Sequence, residues 1–155
     1  MSFLANNINW KPQFDKLQAQ LNYALIFQQG EVAIPLIKLP RAWHIKVLVN
    51  GVAARFILDT GATTTVVNEN LIGNNYKHLG KITISTANGL AEAFQAEISD
   101  FTIGEIIKKS FIVVVTNKAK LPAGIDGLLG LDWLSNFDFV IDEKNSLLRL
   151  SAKVN

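Results

Sequence analysis

Hydrophobic and polar residues alternate along most of the chain after Gly30, which is the pattern of β-strands with one buried face. The strand-like run at 44–58 is interrupted by Asn50-Gly51, a dipeptide that strongly favours a two-residue hairpin turn. A second hairpin is predicted in residues 81–98, with Asn88-Gly89 at its tip. The small and polar residues around this tip indicate that it projects from the core.

Three further elements are predicted in the second half of the chain. The segment SFIVVVT, residues 110–116, is short, continuous and β-branched, which predicts a strand buried on both faces. The segment LDWLSNF, residues 131–137, predicts a short helix with Asp132 as its N-cap. A last hairpin is expected to turn near Lys144-Asn145. The pattern predicts one mainly β domain with one or two short helices and no internal linker.

Residues 1–30 follow a different pattern. Apolar residues recur there at helical spacing, at Phe14, Leu17, Leu21 and Leu25. Pro12 suits the first turn of a helix and Gly30 suits its end. The stretch NYALIF within this segment fits a strand equally well. We therefore expect an N-terminal extension over residues 1–30, possessing an amphipathic helix or a strand, before a domain that spans residues 31–155.

Composition and charge exclude several classes of function. Of the 155 residues, 49% are apolar and 18% are charged, which is typical of a globular domain and not of a disordered chain. The net charge is +2, and the basic residues form no face interleaved with aromatics, so we expect no nucleic-acid partner. The chain has no cysteine, which excludes disulfides and thiolate chemistry. Neither His44 nor His78 has a second ligand at helical spacing, so no metal site is expected.

Targeting and membrane signals are missing from the chain as given. No apolar stretch reaches the ~18 residues that a membrane-spanning helix needs. The first residues contain no basic segment followed by an apolar core, which a secretory signal would require. We expect a soluble protein that is cytoplasmic by default, unless a leader or an anchor lies outside this chain.

One apolar, strand-like run ends on a carboxylate. In ARFILDTGATTTVVNEN the predicted strand meets Asp59 and turns at once through Thr60-Gly61-Ala62. Asp, Thr and Gly are ordinary turn residues, so this could be a simple strand-to-turn junction. An acid next to an apolar interior is costly, however, unless it is paired, hydrogen-bonded or used. A second strand-to-glycine segment, GIDGLLGLDWL, follows about 70 residues later.

Three elements in this order resemble the retropepsin-like aspartic peptidases, the fold of the retroviral proteases. They are the apolar-apolar-Asp-Thr-Gly-Ala motif at 57–62, the hairpin around Asn88-Gly89, and the apolar-apolar-Gly motif at 128–130 before a short helix. The resemblance covers residues 31–150. It implies a mainly β fold, a closed β-barrel half with a flap hairpin and one or two short helices, and no cofactor.

The resemblance also implies roles for particular residues. The catalytic residues would be Asp59, Thr60 and Gly61. The residues that bind substrate would be Ala62, Thr63, Ala87, Asn88, Gly89, Leu129 and Gly130. The hydroxyl of Thr60 is expected to turn inward and hold the loop. An apolar wall is expected to keep the site dry, formed by Phe56, Leu58, Leu129 and Leu131.

The chemistry of this family needs two carboxyl groups, one ionised to accept a proton from water and one protonated to polarise the scissile carbonyl. Only one Asp-Thr-Gly is present. We interpret the other aspartates of the second half as structural: Asp126 as a loop residue, Asp132 as a helix cap, and Asp138 and Asp142 as strand-end residues. The second Asp59 is therefore expected from a second chain in an isologous homodimer, with the active site at the interface. The resemblance implies that chain-end strands seal this dimer, here residues 139–141 and 147–150.

Two departures from the retroviral pattern are visible. Thr63-Thr64 stands where the retroviral enzymes usually have two acids, and Leu131-Asp132 stands where they have Arg-Asn. These differences fit the bacterial branch of the family better than a viral enzyme. The resemblance implies an endopeptidase of peptide or protein substrates. The alternative is a catalytically weak or silent module that dimerises and binds peptides. A two-carboxylate glycosidase would need two differently housed acids, which a symmetric pair contradicts.

Overall fold

A computed structural model of the chain describes residues 30–86 and 89–153, and every structural statement below concerns these residues. The helix or strand expected in residues 1–30 therefore lies outside the described residues, apart from Gly30. The same holds for the hairpin residues Ala87 and Asn88. The boundary between an extension and a domain at residue 31 stays a prediction.

The described residues are mostly β-strands, as the alternating pattern predicts. The elements in chain order are β1 (Val32–Pro35), β2 (Ile37–Leu39), β3 (Ala42–Val49), β4 (Val52–Leu58), β5 (Val66–Asn68), α1 (Glu69–Ile72), β6 (Lys77–Thr86), β7 (Gly89–Ile103), β8 (Ile106–Thr116), a 3₁₀ helix (Lys118–Lys120), β9 (Gly127–Leu129), α2 (Leu131–Leu134), β10 (Phe137–Asp142) and β11 (Leu147–Ala152).

Eight strands form one sheet in the order β2-β3-β4-β9-β5-β8-β7-β6. The predicted turn at Asn50-Gly51 joins β3 to β4, and both residues have positive φ, 48° and 83°, as a tight hairpin turn requires. The long hairpin of β6 and β7 is also confirmed. Strand β4 runs parallel to β9, with Leu58 beside Leu129. This parallel pair brings the residues that follow each strand, Asp59 and Gly130, to the same edge of the sheet.

The ends of the domain form a second, three-stranded sheet in the order β1-β11-β10. Arg149 of β11 bonds Asp142 of β10 at 2.9 Å and Glu31, the residue before β1, at 2.7 Å. Hydrogen bonds from Asn145 and Arg149 lower the pKa of Asp142. Strand β11 already has a neighbour on each side. Its backbone therefore has no free edge among the described residues, and the dimer-sealing role expected for residues 139–141 and 147–150 stays a prediction.

Aromatic rings and aliphatic side chains fill the space between the elements. Phe101 packs against Phe56 and Phe111, with ring centroids 5.8 and 4.9 Å apart. Trp133 of α2 is fully buried and packs on Phe137 at 5.0 Å, which fixes the short helix against the strands. The strand at 110–116 was expected to be buried on both faces, and this holds for 113–116 but not for Ile112, which is 48% exposed.

No helix within residues 30–86 and 89–153 has the length and apolarity needed to cross a membrane.

Candidate active site

Asp59 begins the loop between β4 and β5, and its orientation is fixed by backbone groups. Its N–H donates to the carbonyl of Leu129 at 3.0 Å, which fastens the start of the loop to β9. Its carboxylate oxygen Oδ1 accepts a hydrogen bond from the N–H of Gly61 at 3.0 Å. A Cβ atom at Gly61 would lie 3.3 Å from this oxygen, so glycine permits the close approach. The half-buried carboxylate is therefore held by its own turn.

Gly130 packs directly under the same loop. A Cβ atom at this position would come within 2.8–2.9 Å of backbone atoms of Thr64 and Ala62. The neighbouring N–H of Leu131 donates to the carbonyl of Ala62 at 2.8 Å. The glycine of the apolar-apolar-Gly motif is thus needed because two backbone segments touch there, and any side chain would separate them.

A buried hydroxyl and a carboxylate connect the Asp59 loop to α2. Thr65 is fully buried, and Asp132 accepts hydrogen bonds from its N–H at 2.8 Å and from its Oγ1 at 2.6 Å. The same Oγ1 accepts from the N–H of Gly130 at 3.1 Å. The prediction that Asp132 caps α2 is wrong, because Gly130 is the N-cap and Asp132 reaches across to the loop instead. The Thr65–Asp132 pair was missed because its partners are 67 residues apart.

The hydroxyl expected to hold the loop was that of Thr60. Thr60 is exposed in the single chain. The hydroxyl that fixes the loop belongs to Thr65, which bonds Asp132. Thr60 and Thr65 lie in the same loop segment, but the first is exposed and the second is fully buried. A signal was present in the apolar residues Val66 and Val67, which follow Thr65 directly and place it at the edge of a buried strand.

A cleft of about 680 Å³ opens beside Asp59. It is bordered by the Asp59 loop, the floor of the large sheet, the hairpin strand β6 and the segment after β8. The residues that line it are Ile57, Asp59, Gly61, Ala62, Thr63, Thr64, Val66, Ile82, Ile84, Ser85, Gln95, Val114, Thr116, Lys120, Leu121, Pro122 and Leu128. Its lining is mainly apolar, and Asp59 is the one carboxylate among the described lining residues.

The expected site residues fall into three groups. Asp59, Gly61, Ala62 and Thr63 line the cleft. Leu129 and Gly130 are buried behind it and support the loop. Gly89 of the hairpin is exposed with φ of 102° and is not among the lining residues. The side chains of Ala87 and Asn88 lie outside the described residues.

The apolar wall is built from other residues than expected. Phe56, Leu58 and Leu129 belong to the hydrophobic core, and Leu131 packs against that core. Their strand neighbours Ile57 and Leu128 face the cleft instead. Side chains alternate between the two faces of a strand, so the assignment was displaced by one residue on both β4 and β9.

Two of the other aspartates form structural hydrogen bonds. Asp126 accepts a bond from the N–H of Arg55 at 3.0 Å and so joins the β8–β9 connection to β4. Asp142 is bound to Arg149 in the three-stranded sheet. Neither lines the cleft, and Asp59 therefore has no second carboxylate beside it among the described residues of this chain.

Comparison with known proteins gives one family and a set of similar folds. Residues 45–136 match the family described as gag-polyprotein putative aspartyl protease. A retropepsin-like aspartic protease from Rickettsia conorii is 27% identical, with 79% of this chain and 91% of that chain covered and a TM-score of 0.57. The search of curated proteins returns no match.

A retroviral structure shares the fold at lower identity. EIAV protease, in complex with the inhibitor HBY-793, is 22% identical, with 64% of this chain and 90% of that chain covered and a TM-score of 0.52. The expected mainly β, retropepsin-like fold is thereby confirmed.

Proposed function

Because the chain belongs to the gag-polyprotein putative aspartyl protease family, we propose that it is an endopeptidase whose active site contains Asp59 from each of two subunits. The observation that carries this proposal is the position of Asp59, a preset carboxylate at the end of a large cleft. No second described carboxylate lines that cleft, and the mechanism requires two. An isologous dimer with its axis beside Asp59 supplies the missing group.

In such a dimer the two carboxyl groups share one proton. Two carboxylates ~3 Å apart cannot both ionise, so the pair has one ionised and one protonated member at working pH. The ionised Asp59 accepts a proton from the attacking water, and the protonated one donates a hydrogen bond to the scissile carbonyl. The N–H of Gly61 keeps Oδ1 oriented while the charge moves between the two groups.

The substrate would lie extended across the cleft. Ala62 and Thr63 border it near Asp59, while Ile82 and Ile84 of β6 border it from the hairpin side. We assign the hairpin the role of a flap that closes over the peptide and adds backbone hydrogen bonds near residues 87–89. The domain that does this spans residues 31–155.

The decisive experiment measures hydrolysis of a peptide library across pH and protein concentration. The wild type should show a bell-shaped profile with an acidic maximum. Specific activity should fall on dilution as the dimer dissociates, in parallel with sedimentation. Asp59→Asn should lower kcat by at least about a hundredfold while the variant still folds and dimerises.

A mixing experiment separates the dimer mechanism from a single-chain mechanism. Excess Asp59→Asn added to wild type should suppress activity, because each heterodimer has only one carboxylate. Asp100→Asn is the matched control, since that carboxylate bonds Lys109 on the surface outside the cleft, and it should not suppress activity. A fully active monomer would overturn the two-subunit site. A dimer that binds statine-type peptides without hydrolysing any would identify a silent binding module.

A further inference from the structure

The floor of the cleft is a single row of side chains that crosses five strands. The register pairs each of these residues with the next: Ile57, Leu128, Val66, Val114 and Gln95. All five line the cleft. The row begins two residues before Asp59, is apolar over four strands, and ends on the amide of Gln95. The floor is therefore apolar near the proposed catalytic group and polar at its far end.

Other polar groups surround the Gln95 end of this row. Thr116 lies two residues beyond Val114 and so on the same face of β8. It is buried, and its hydroxyl has no hydrogen-bond partner among the described residues. Lys120 follows in the 3₁₀ helix and also lines the cleft. We define Gln95, Thr116 and Lys120 as the polar end of the cleft.

The charge of the polar end is uncompensated. Lys120 is exposed, and no ion pair to it exists among the described residues. The other charged residue that lines the cleft is Asp59, which stands at the opposite end of the floor. A positive side chain in a partly apolar cleft attracts negative groups more strongly than one in open solvent.

We propose that this cleft selects peptides with an apolar residue next to the scissile bond and an acidic residue farther along the chain. This inference rests on the proposed function and adds a substrate class to it. The apolar side chain lies on the Ile57, Leu128 and Val66 part of the floor. The carboxylate of a Glu or Asp lies at the polar end, beside the ammonium of Lys120.

The strand spacing sets how far apart the two substrate residues lie. Strands β4 and β8 are three strand spacings apart in the sheet, about 14 Å. An extended peptide spans about 3.3 Å per residue, so it covers this distance in about four residues. Asp59 and Thr116 each lie two residues beyond this row, and β4 and β8 run in opposite directions, which adds an offset of about 13 Å along the strands. The two displacements combine to about 19 Å, or about six residues of extended peptide. The acidic residue should therefore fall within about six positions of the scissile bond. A two-fold dimer has two such ends, so the preference should appear on both sides of the bond.

The test uses one parent peptide with apolar residues at the scissile bond and Glu, Gln or Lys placed at each of about six positions on either side. At about pH 6 a free Glu is ionised. We expect kcat/KM to rank Glu above Gln above Lys at one position per side, with about twofold to fivefold between Glu and Gln, the size of an exposed ion pair. Added salt should reduce this ratio.

Three variants assign the preference to Lys120. Lys120→Met should remove the Glu preference, and Lys120→Glu should reverse it in favour of Lys. Lys144→Met, which removes an exposed lysine from the β10–β11 turn, should leave the ranking unchanged. The same ranking is expected in the peptide affinities of Asp59→Asn, which measure selection without catalysis.

The outcomes separate this inference from the proposed function. Hydrolysis without a charge ranking, or a ranking that survives Lys120→Glu, would overturn the inference alone. A charge ranking in binding with no hydrolysis by the wild type would overturn the peptidase proposal and keep the inference. Neither binding nor hydrolysis of any peptide would overturn both.

Discussion

The loop that carries Asp59 and the β6–β7 hairpin border the same cleft, but they are stabilised by different contacts. Hydrogen bonds to Leu129, Gly130 and Asp132 connect the loop to β9 and α2. One of them joins the buried hydroxyl of Thr65 to the carboxylate of Asp132. The outer part of the hairpin is held mainly by the ladder between its own two strands. Leu90 there is 76% exposed.

This difference fits the two tasks of a peptidase cleft. A reacting carboxylate must keep its position to a fraction of an ångström, because small misplacements cost large factors in rate. A strand that covers a substrate must open and close, so it benefits from few contacts with the rest of the domain. These contacts predict that the cleft has a rigid side, the Asp59 loop, and a deformable side, the outer part of the hairpin.

Replacing the two glycines of the rigid side should have the largest effects, and the effects should differ in kind. Gly130→Ala forces a Cβ atom against backbone at 2.8–2.9 Å, so we expect a loss of about 3 kcal/mol in the free energy of unfolding, measured by denaturant titration. Gly61→Ala meets only Asp59 Oδ1 at 3.3 Å. It should retain most stability and lose up to about a hundredfold in kcat. Equal stability losses in both variants would contradict this account of the loop.

Weakening the Thr65–Asp132 pair should cost less, and it should affect kcat more than KM. Thr65→Val and Asp132→Asn each remove or weaken a hydrogen bond to a charged group, which is worth about 1.5–3 kcal/mol. In a double-mutant cycle the two effects should be strongly non-additive. Thr65→Ser keeps the hydroxyl and should restore kcat. If Thr65→Ser lowers kcat as far as Thr65→Val does, the hydroxyl does not position the loop.

Hydrogen exchange should separate the deformable side from the rigid one. Backbone amides of Ile84, Ser85 and Leu90 in the hairpin should exchange faster than those of 111–115 in β8, because β8 lies between two other strands. A bound statine-type peptide should slow exchange in the hairpin far more than in β8. Equal protection of both segments without ligand would remove the contrast between the two sides of the cleft.

The smallest expected effect is a pH dependence of stability. It comes from His44, which lies near the base of the Asp59 loop. His44 is buried on β3 opposite Ile57, and burial together with the charge of Arg55 lowers its pKa below the ordinary 6.5. Below pH 6.5 the unfolded chain therefore binds a proton that the folded chain resists, so stability falls as pH falls. The His44→Gln variant should show a thermal midpoint that depends less on pH in this range than that of the wild type. A pH profile of the variant identical to that of the wild type would exclude His44 as the cause.

Much of the local structure could be predicted because it depends on neighbours in the sequence. The Asn50-Gly51 turn formed as expected, since its two positive φ angles are accessible to that dipeptide at little cost. The position of Asp59 at the end of a strand, next to Gly61, was also visible. The family could be recognised for the same reason, since its motifs are short and occur in a fixed order.

The faces of the strands beside the site could not be assigned from the pattern. Strand β4 ends in FIL and β9 is GLL, so apolar residues occupy both faces at the site. Alternation then gives no sign of which face is the core and which borders the cleft. Only the packing of the large sheet shows that Ile57 and Leu128 face the cleft.

The sequence by itself determined the strand pattern, the tight turns and the Asp-Thr-Gly loop, because these follow from the preferences of adjacent residues. The tertiary structure alone decided that Thr65 and Asp132 meet, that β11 is enclosed by two strands, and that the cleft floor changes from apolar to polar. These features join residues 67 or more positions apart or depend on the order of strands in a sheet. That order is set by which long-range packing buries the most apolar surface, and no local pattern records it.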